Sequence, residues 1–269
     1  MKRTAAVAGQ FYPEDPDVLN ELVQGLLHDA RQQIADIAQG SGCQAIICPH
    51  AGYVFSARIA ALSFAAAKGA EVPGRVILAG PAHYEAFRGI AVPESTAFAV
   101  PGGIFPVDTD VAAQLTAKFS DVKALERVHV PEHSLEVMLP FIQQLWGERP
   151  ILPLLCGSCD YELVYRVLEE VVRANDVLVI SSDLSHFYPS STAEQMDSAF
   201  LQAVGEGNIE QAALGEACGK LPILGSMLWA RSHDLQARVL GYAHSGQVHT
   251  DQNRVVGYGS VVFCQGGLL

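Results

Sequence analysis

The stretch Asp176-Val-Leu-Val-Ile-Ser-Ser-Asp-Leu-Ser-His186 joins a strongly apolar run to a polar segment that ends in a histidine. Two earlier stretches have the same arrangement, Ile46-Ile-Cys-Pro-His50 and Ile77-Leu-Ala-Gly-Pro-Ala-His83. Short continuous runs of Val, Ile and Leu are typical of parallel strands buried on both faces. If the three strands are parallel neighbours, their histidines meet beyond the carboxyl ends, where open α/β sheets bind ligands.

Helical patterns separate these and other apolar runs along the chain. We expect strands at 44–48, 75–78, 151–155, 176–180, 236–243 and 255–263, and helices at 15–39, 56–68, 108–119, 133–146, 161–174, 192–206 and 221–232. The alternation predicts an α/β fold with a mostly parallel or mixed central sheet covered by helices on both faces. No linker or internal repeat divides the chain, so we expect a single domain over residues 1–269.

The overall charge narrows the classes of partner. A formal net charge of -12 disfavours direct binding to nucleic acid or to an anionic membrane surface. We see neither a secretory signal nor an apolar stretch long enough to span a bilayer, and we therefore expect a cytoplasmic protein. In that compartment the six cysteines are expected to be reduced, and the pair Cys156 and Cys159 is interpreted as a chance placement at a strand end.

Several titratable side chains accompany the three strand-end histidines, whose imidazoles suit iron, copper, zinc and nickel. Asp183 follows a strand and precedes His186 by three residues. Three roles are open to it: a metal ligand, an acceptor that fixes a histidine tautomer, or a loop cap. His133 and Glu136 are spaced to share one face at a helix start, where a carboxylate also simply complements the helix dipole.

Cys218 lies between two helical patterns, in a segment whose Gly219 and Pro222 indicate a sharp turn. Lys220, or a helix that starts at Leu221, would lower the pKa of the Cys218 thiol and favour the thiolate. The alternative is an ordinary buried cysteine.

Motifs of several large enzyme classes are absent from the sequence. We find no GxGxxG after a strand, no GxxxxGK[ST], no HExxH and no GxSxG. Their absence disfavours a dinucleotide enzyme, a P-loop NTPase, a zincin and a standard α/β-hydrolase.

Six segments in this order resemble the Memo family, which includes the B component of the AmmeMemoRadiSam system. They are Ala8-Gly-Gln-Phe-Tyr-Pro13, Pro49-His-Ala-Gly-Tyr53, Gly80-Pro-Ala-His83, Glu132-His-Ser-Leu-Glu136, Ser181-Ser-Asp-Leu-Ser-His186 and Cys218-Gly-Lys220. The resemblance implies a fold similar to LigB-type class III extradiol dioxygenases, which are non-haem iron enzymes. It also implies a metal site at His50, His83 and Cys218, with catalytic pocket positions at His186, Asp183, His133 and Glu136.

Three functions are compatible with this resemblance. The first is a dioxygenase-like oxidoreductase that uses iron or copper, with the softer Cys218 thiolate where the dioxygenases have a carboxylate. The second is a non-catalytic peptide- or protein-binding module that acts with radical-SAM and AMMECR1-type partners. The third is a hydrolase in which zinc activates water and Glu136 or Asp183 is the base.

Overall fold

The computed structural model describes residues 1–34, 43–67 and 72–265. Its strands are β1 (Lys2–Arg3), β2 (Cys43–Cys48), β3 (Arg75–Pro81), β4 (Ile90–Val92), β5 (Ala97–Val100), β6 (Gly103–Pro106), β7 (Val122–Ala124), β8 (Ile151–Cys156), β9 (Asp176–Ser181), β10 (His186–Tyr188), β11 (Leu235–His244) and β12 (Val255–Gln265). Its helices are α1 (Pro16–Gln33), α2 (Tyr53–Ala67), α3 (Thr109–Lys118), α4 (Glu126–His129), α5 (Leu139–Trp146), α6 (Tyr161–Val171), α7 (Ser190–Gly205), α8 (Ile209–Leu214) and α9 (Lys220–Ser232).

A mixed sheet with the strand order β10-β12-β2-β9-β3-β8-β4-β7 forms the centre of the fold, and β11 pairs with β12. The core of this sheet is parallel, because β2, β9, β3 and β8 run in the same direction. The strands β12 and β4 join its two sides in antiparallel orientation. A separate small sheet has the order β1-β5-β6.

Each central strand sends alternate side chains to opposite faces, as the period of two of a strand requires. Ile46 of β2 packs in one core cluster with α1, α2 and α5, whereas Ile47 packs in a second cluster with α6, α7 and α9. Since the sheet is buried on both faces, its strands consist of continuous apolar runs. The predicted α/β fold class, with helices on both faces of a mixed sheet, is confirmed.

The structure differs from the sequence prediction mainly at short elements. The segment predicted as a helix over 133–146 is a loop, a 3-10 turn at Glu136–Met138 and then α5. The strands β1, β4–β7 and β10 were not predicted, because runs of two to four residues carry too little periodicity. Positions 35–39 of the first predicted helix and position 68 of the second lie outside the described residues.

The prediction that all six cysteines are reduced is wrong for one pair, because Cys43 and Cys264 form a disulfide. Cys43, the first residue of β2, faces Cys264 of β12 across the antiparallel ladder. The two cysteines are 221 residues apart in the sequence, so only the pairing of these strands brings them together. The disulfide ties the last described strand to the strand that leads to His50.

No helix in residues 1–34, 43–67 or 72–265 is both long and apolar enough to cross a membrane.

Removing the disulfide is expected to destabilise the fold, since a cross-link that closes a long loop restricts the unfolded chain. The double variant Cys43→Ser/Cys264→Ser should lose about 2–5 kcal/mol of unfolding free energy in chemical denaturation. The wild type should lose a similar amount when a reductant is added, whereas the double variant should not respond to it.

The matched control is Cys159→Ser, which removes a free, half-buried thiol. It should keep the wild-type response to reductant. Titration of all six cysteines as free thiols in denatured, unreduced wild type would contradict the disulfide.

Candidate metal centre

The register of three parallel strands brings two of the predicted histidines to one edge of the sheet. Cys48 of β2 pairs with Ser181 of β9, and Ile180 of β9 pairs with Ala79 of β3. His50 and His83 each follow the last residue of their strand by two positions. Their ring centroids lie 5.0 Å apart, with the planes at 78°.

A third imidazole, that of His133, joins them from the loop between α4 and the 3-10 turn. Its ring stacks on His83 at 4.6 Å and meets His50 edge-on at 5.4 Å. Each of the three side chains offers a nitrogen within 4.8 Å of the other two, as in a metal-binding site. Gly80 of β3 lets the loop that carries His133 pack closely against this strand. A Cβ at position 80 would lie 2.9 Å from the side chain of Leu135 in that loop.

A hydrogen-bond chain fixes the tautomer of His50. The Ser181 hydroxyl donates its one proton to the carbonyl oxygen of Ser134 at 2.6 Å. The same hydroxyl oxygen lies 2.6 Å from Nδ1 of His50 and must therefore accept a proton from it. Burial, followed by the neighbouring His83, lowers the pKa of His50 to about 3, so the ring is neutral. Its Nε2 is therefore unprotonated.

Glu132 holds Nδ1 of His83 in a hydrogen bond, as Ser181 holds Nδ1 of His50. Its carboxylate accepts from Nδ1 of His83 at 2.9 Å and from the backbone N–H groups of His83, His133 and Ser134. Burial raises the pKa of Glu132, but the hydrogen bonds from His83 outweigh burial and hold the pKa at about 2. Because an ionised carboxylate only accepts, Nδ1 of His83 is the donor, which leaves Nε2 as the nitrogen available to a metal ion.

Cys218 lies beside His50, with its Sγ 3.3 Å from Nε2. The backbone N–H of Asp183 donates to this sulfur at 3.2 Å. Burial, and next the negative charge of Asp183, raise the pKa of the Cys218 thiol to about 12. The expected lowering by Lys220 is wrong, because its ammonium donates to the carbonyls of Ala213 and Gly215. A metal ion bound beside Cys218 would supply the positive charge that favours the thiolate.

Asp183 and His186 belong to the segment that follows β9. The Asp183 carboxylate accepts from the backbone N–H of His50 at 2.8 Å and thereby supports the loop that carries this histidine. Burial raises the pKa of Asp183, while the hydrogen bond from His50 and the charge of His186 oppose the rise. The half-buried His186 opens β10, on the same edge of the sheet.

Glu136 is engaged by the N-terminal segment of the chain. Its carboxylate is fully buried, pairs with Arg3 at 2.7 Å, and accepts from the Tyr12 hydroxyl and from the backbone N–H groups of Ala6 and Val7. The predicted helical face shared with His133 is wrong, because His133 precedes the 3-10 turn that begins at Glu136. This carboxylate anchors the first dozen residues to the core.

Two polar residues of the site were not assigned a role from the sequence. Glu132 and Ser181 both lie within the quoted family segments, but neither has a spacing that distinguishes it from its neighbours. Glu132 and Glu136 flank the same short segment, and only the folded loop shows which carboxylate faces the histidines. The pairing of Ser181 with Cys48 is likewise visible only in the assembled sheet.

The residues present fit a metal ion. His50 and His83 each use Nδ1 in a hydrogen bond and leave Nε2 available to a metal ion, and a third imidazole and a thiol lie within a few ångströms of them. Nδ1 of His133 is buried and makes no hydrogen bond to the described residues, although it lies 3.3 Å from a carboxylate oxygen of Glu132. Imidazole and thiolate together suit copper, zinc and iron better than magnesium or calcium.

A protein-family model described as "Memo-like protein" matches residues 3–262 of the chain. The chain belongs to the Memo family. Curated "MEMO1 family protein" relatives include one from Nitrosopumilus maritimus, 30% identical, with 98% of this chain and 100% of the relative covered. Another, from Aquifex aeolicus, is 32% identical over 97% of this chain and 98% of its own length. A third, from Aeropyrum pernix, is 33% identical over 96% of this chain and 98% of its own length.

Among solved structures, an uncharacterised protein from Escherichia coli K12 has a similar fold. The TM-score is 0.51 at 12% sequence identity, and the match covers 81% of this chain and 99% of the other. At this identity the likeness shows the shared α/β architecture alone.

The hydrogen bonds of Glu132 generate a test of the metal site in this Memo-family chain. Glu132→Gln replaces one acceptor oxygen by a donor and removes the charge that holds His83 in its tautomer. We expect the affinity for zinc to fall by about 10- to 100-fold in competition with a chromophoric chelator.

The matched control is Glu85→Gln, which removes an exposed carboxylate paired with Arg127. It should bind zinc as the wild type does. Unchanged zinc affinity in a folded Glu132→Gln protein would contradict the role of Glu132.

Proposed function

We propose that this Memo-family protein is a metal-dependent oxidoreductase, similar to the dioxygenases, that holds iron or copper at His50 and His83. The observation that supports it is the convergence of two imidazoles held by hydrogen bonds at Nδ1, a third imidazole and the thiol of Cys218. The third ligand is Cys218 by family resemblance, whereas the geometry also offers His133. The substrate is a small organic molecule.

A bound iron or copper ion would supply the one-electron chemistry that amino-acid side chains lack. In a reaction of the dioxygenase type, both atoms of one dioxygen molecule enter one substrate molecule. Four electrons pass from the substrate to oxygen, so no external reductant is required. The Cys218 thiol would favour copper(I) or zinc relative to a carboxylate ligand.

The remaining polar residues would position the substrate and move protons. The half-buried His186 lies on the same edge of the sheet and would accept a proton from a bound substrate hydroxyl. Asp183, whose pKa is raised by burial, would hold the loop of His50 in place and stabilise the protonated His186. Ser181 and Glu132 would keep the two histidine rings in their metal-binding tautomers.

Metal analysis of single-residue variants tests the proposal. The protein is purified without oxygen and without added metal, and bound metals are measured by mass spectrometry. We expect near-stoichiometric iron or copper in the wild type and a loss of more than about 100-fold in affinity for His50→Ala and His83→Ala. His133→Ala and Cys218→Ser, compared directly, identify the third ligand.

The matched control is His28→Ala, which removes an exposed histidine of α1. It should retain the metal. Zinc as the bound metal, with turnover of an ester, amide or phosphate substrate, would favour the hydrolase over the oxidoreductase. A wild type that binds no metal even after reconstitution would contradict the proposal and favour a binding module. The association with radical-SAM and AMMECR1-type partners stays a prediction.

A further inference from the structure

The backbone at Phe187 adopts a conformation that its residue type disfavours. Its φ is 65°, in the left-handed region, and Asp234, with φ 55°, is the other non-glycine residue with positive φ in the described part of the chain. Aspartate tolerates this region, whereas a bulky aromatic residue rarely adopts it. Such strain persists where the surrounding structure imposes it and is concentrated at functional sites.

Burial of the Phe187 side chain does not compensate for this strain. The side chain is 60% exposed, although phenylalanine is among the residues most often buried. Its neighbour Tyr188 is anchored, because its hydroxyl donates to Glu216 at 3.0 Å. The ladder between β10 and β12 is irregular between His186 and Tyr188, so the chain displaces Phe187 from the regular pairing. The irregular backbone therefore holds an aromatic ring at the surface.

The exposed ring contacts both a histidine and an arginine. Its centroid lies 5.7 Å from that of the His186 ring. The guanidinium of Arg254 lies over the Phe187 ring, 5.2 Å from its centroid. Arg254 is exposed, and within the described part of the chain it forms no ion pair with a carboxylate. Its fork of N–H donors remains available in a protein whose net charge is -12.

The segment 183–187 connects Phe187 and Arg254 at the surface to the candidate metal centre. Asp183 and His186 lie three residues apart, and the Asp183 carboxylate accepts from the backbone N–H of His50. The segment 183–187 therefore runs from a residue that supports the loop of His50 to the exposed ring of Phe187, which contacts Arg254.

We propose that Phe187 and Arg254 form a binding subsite for a substrate with a planar body and an oxyanion, a carboxylate or a phosphate. The guanidinium fork matches both oxyanions bidentately, and the Phe187 ring offers a stacking surface for the planar body. This inference rests on the proposed function, because it specifies the substrate class of the same site. The strained backbone at Phe187 positions the ring for the ligand.

Fluorine NMR titrations with three matched probes test the subsite. The probes are 4-fluorobenzoate, 4-fluorophenyl phosphate and the neutral 4-fluorobenzamide, each added to metal-free and to zinc-loaded protein. We expect saturable binding of at least one anion and about tenfold weaker binding of the amide, as for one charge-assisted hydrogen-bonded pair. The preferred anion identifies the oxyanion as carboxylate or phosphate.

Single-residue variants test whether Arg254 and Phe187 bind the probes. Arg254→Gln should weaken anion binding by about tenfold and leave the amide unaffected. The matched control Arg166→Gln, at an exposed position of α6, should bind the probes as the wild type does. Phe187→Asn introduces a residue that tolerates positive φ, so its melting temperature should equal or exceed that of the wild type. Its anion affinity should fall by about threefold through loss of the ring.

Three results would overturn the subsite. They are equal binding of the amide and the anions, unchanged anion binding in Arg254→Gln, and a Phe187→Asn protein that is destabilised but binds anions normally. Metal content is measured in the same samples. A wild type that takes up no metal even after reconstitution would overturn the proposed function, whereas the titrations of metal-free protein would still decide the subsite.

Discussion

The in-register parallel pairing of β2, β9 and β3 is the constraint on which the candidate site depends. A slip of one residue in any of these strands would turn its apolar side chains from one core cluster to the other. Because the sheet is buried on both faces, that slip is strongly opposed, and Cys48 stays opposite Ser181. His50 and His83 then leave their strands at the same edge, 5.0 Å apart between ring centroids.

Convergence alone does not make a metal ligand, since an imidazole must be neutral and must present the correct nitrogen. Buried polar groups of the protein select the nitrogen. Ser181 and Glu132 each accept from an Nδ1–H, which leaves Nε2 of His50 and Nε2 of His83 as the nitrogens available to a metal ion. Burial lowers the pKa of His50 to about 3, so this ring stays neutral over the physiological range. The metal-binding capacity of the site therefore depends on residues that do not themselves bind metal.

The sequence was informative where the structure follows from local pattern. Apolar runs predicted the main strands, and the histidines after two of them, His50 and His83, lie together in the cluster. The third ring of the cluster belongs to His133 and not to the expected His186, because a loop that the local pattern did not predict carries it there. Long-range contacts were not accessible in this way. The segment 132–136 contains two glutamates, and the packing of one loop decides which of them contacts a histidine. Glu132 accepts from His83, whereas Glu136 pairs with Arg3. The disulfide between Cys43 and Cys264 depends on the pairing of two strands at opposite ends of the chain.

A crystal structure of the metal-loaded wild type, with anomalous difference maps recorded at the metal absorption edge, tests the central claim most directly. The account predicts one strong peak bound by Nε2 of His50 and Nε2 of His83, at roughly 2.0–2.1 Å for zinc and similar distances for iron or copper. It also predicts that Ser181 and Glu132 retain their hydrogen bonds to the two Nδ1 atoms. A peak elsewhere on the molecule, or coordination through Nδ1 of either histidine, would contradict the account.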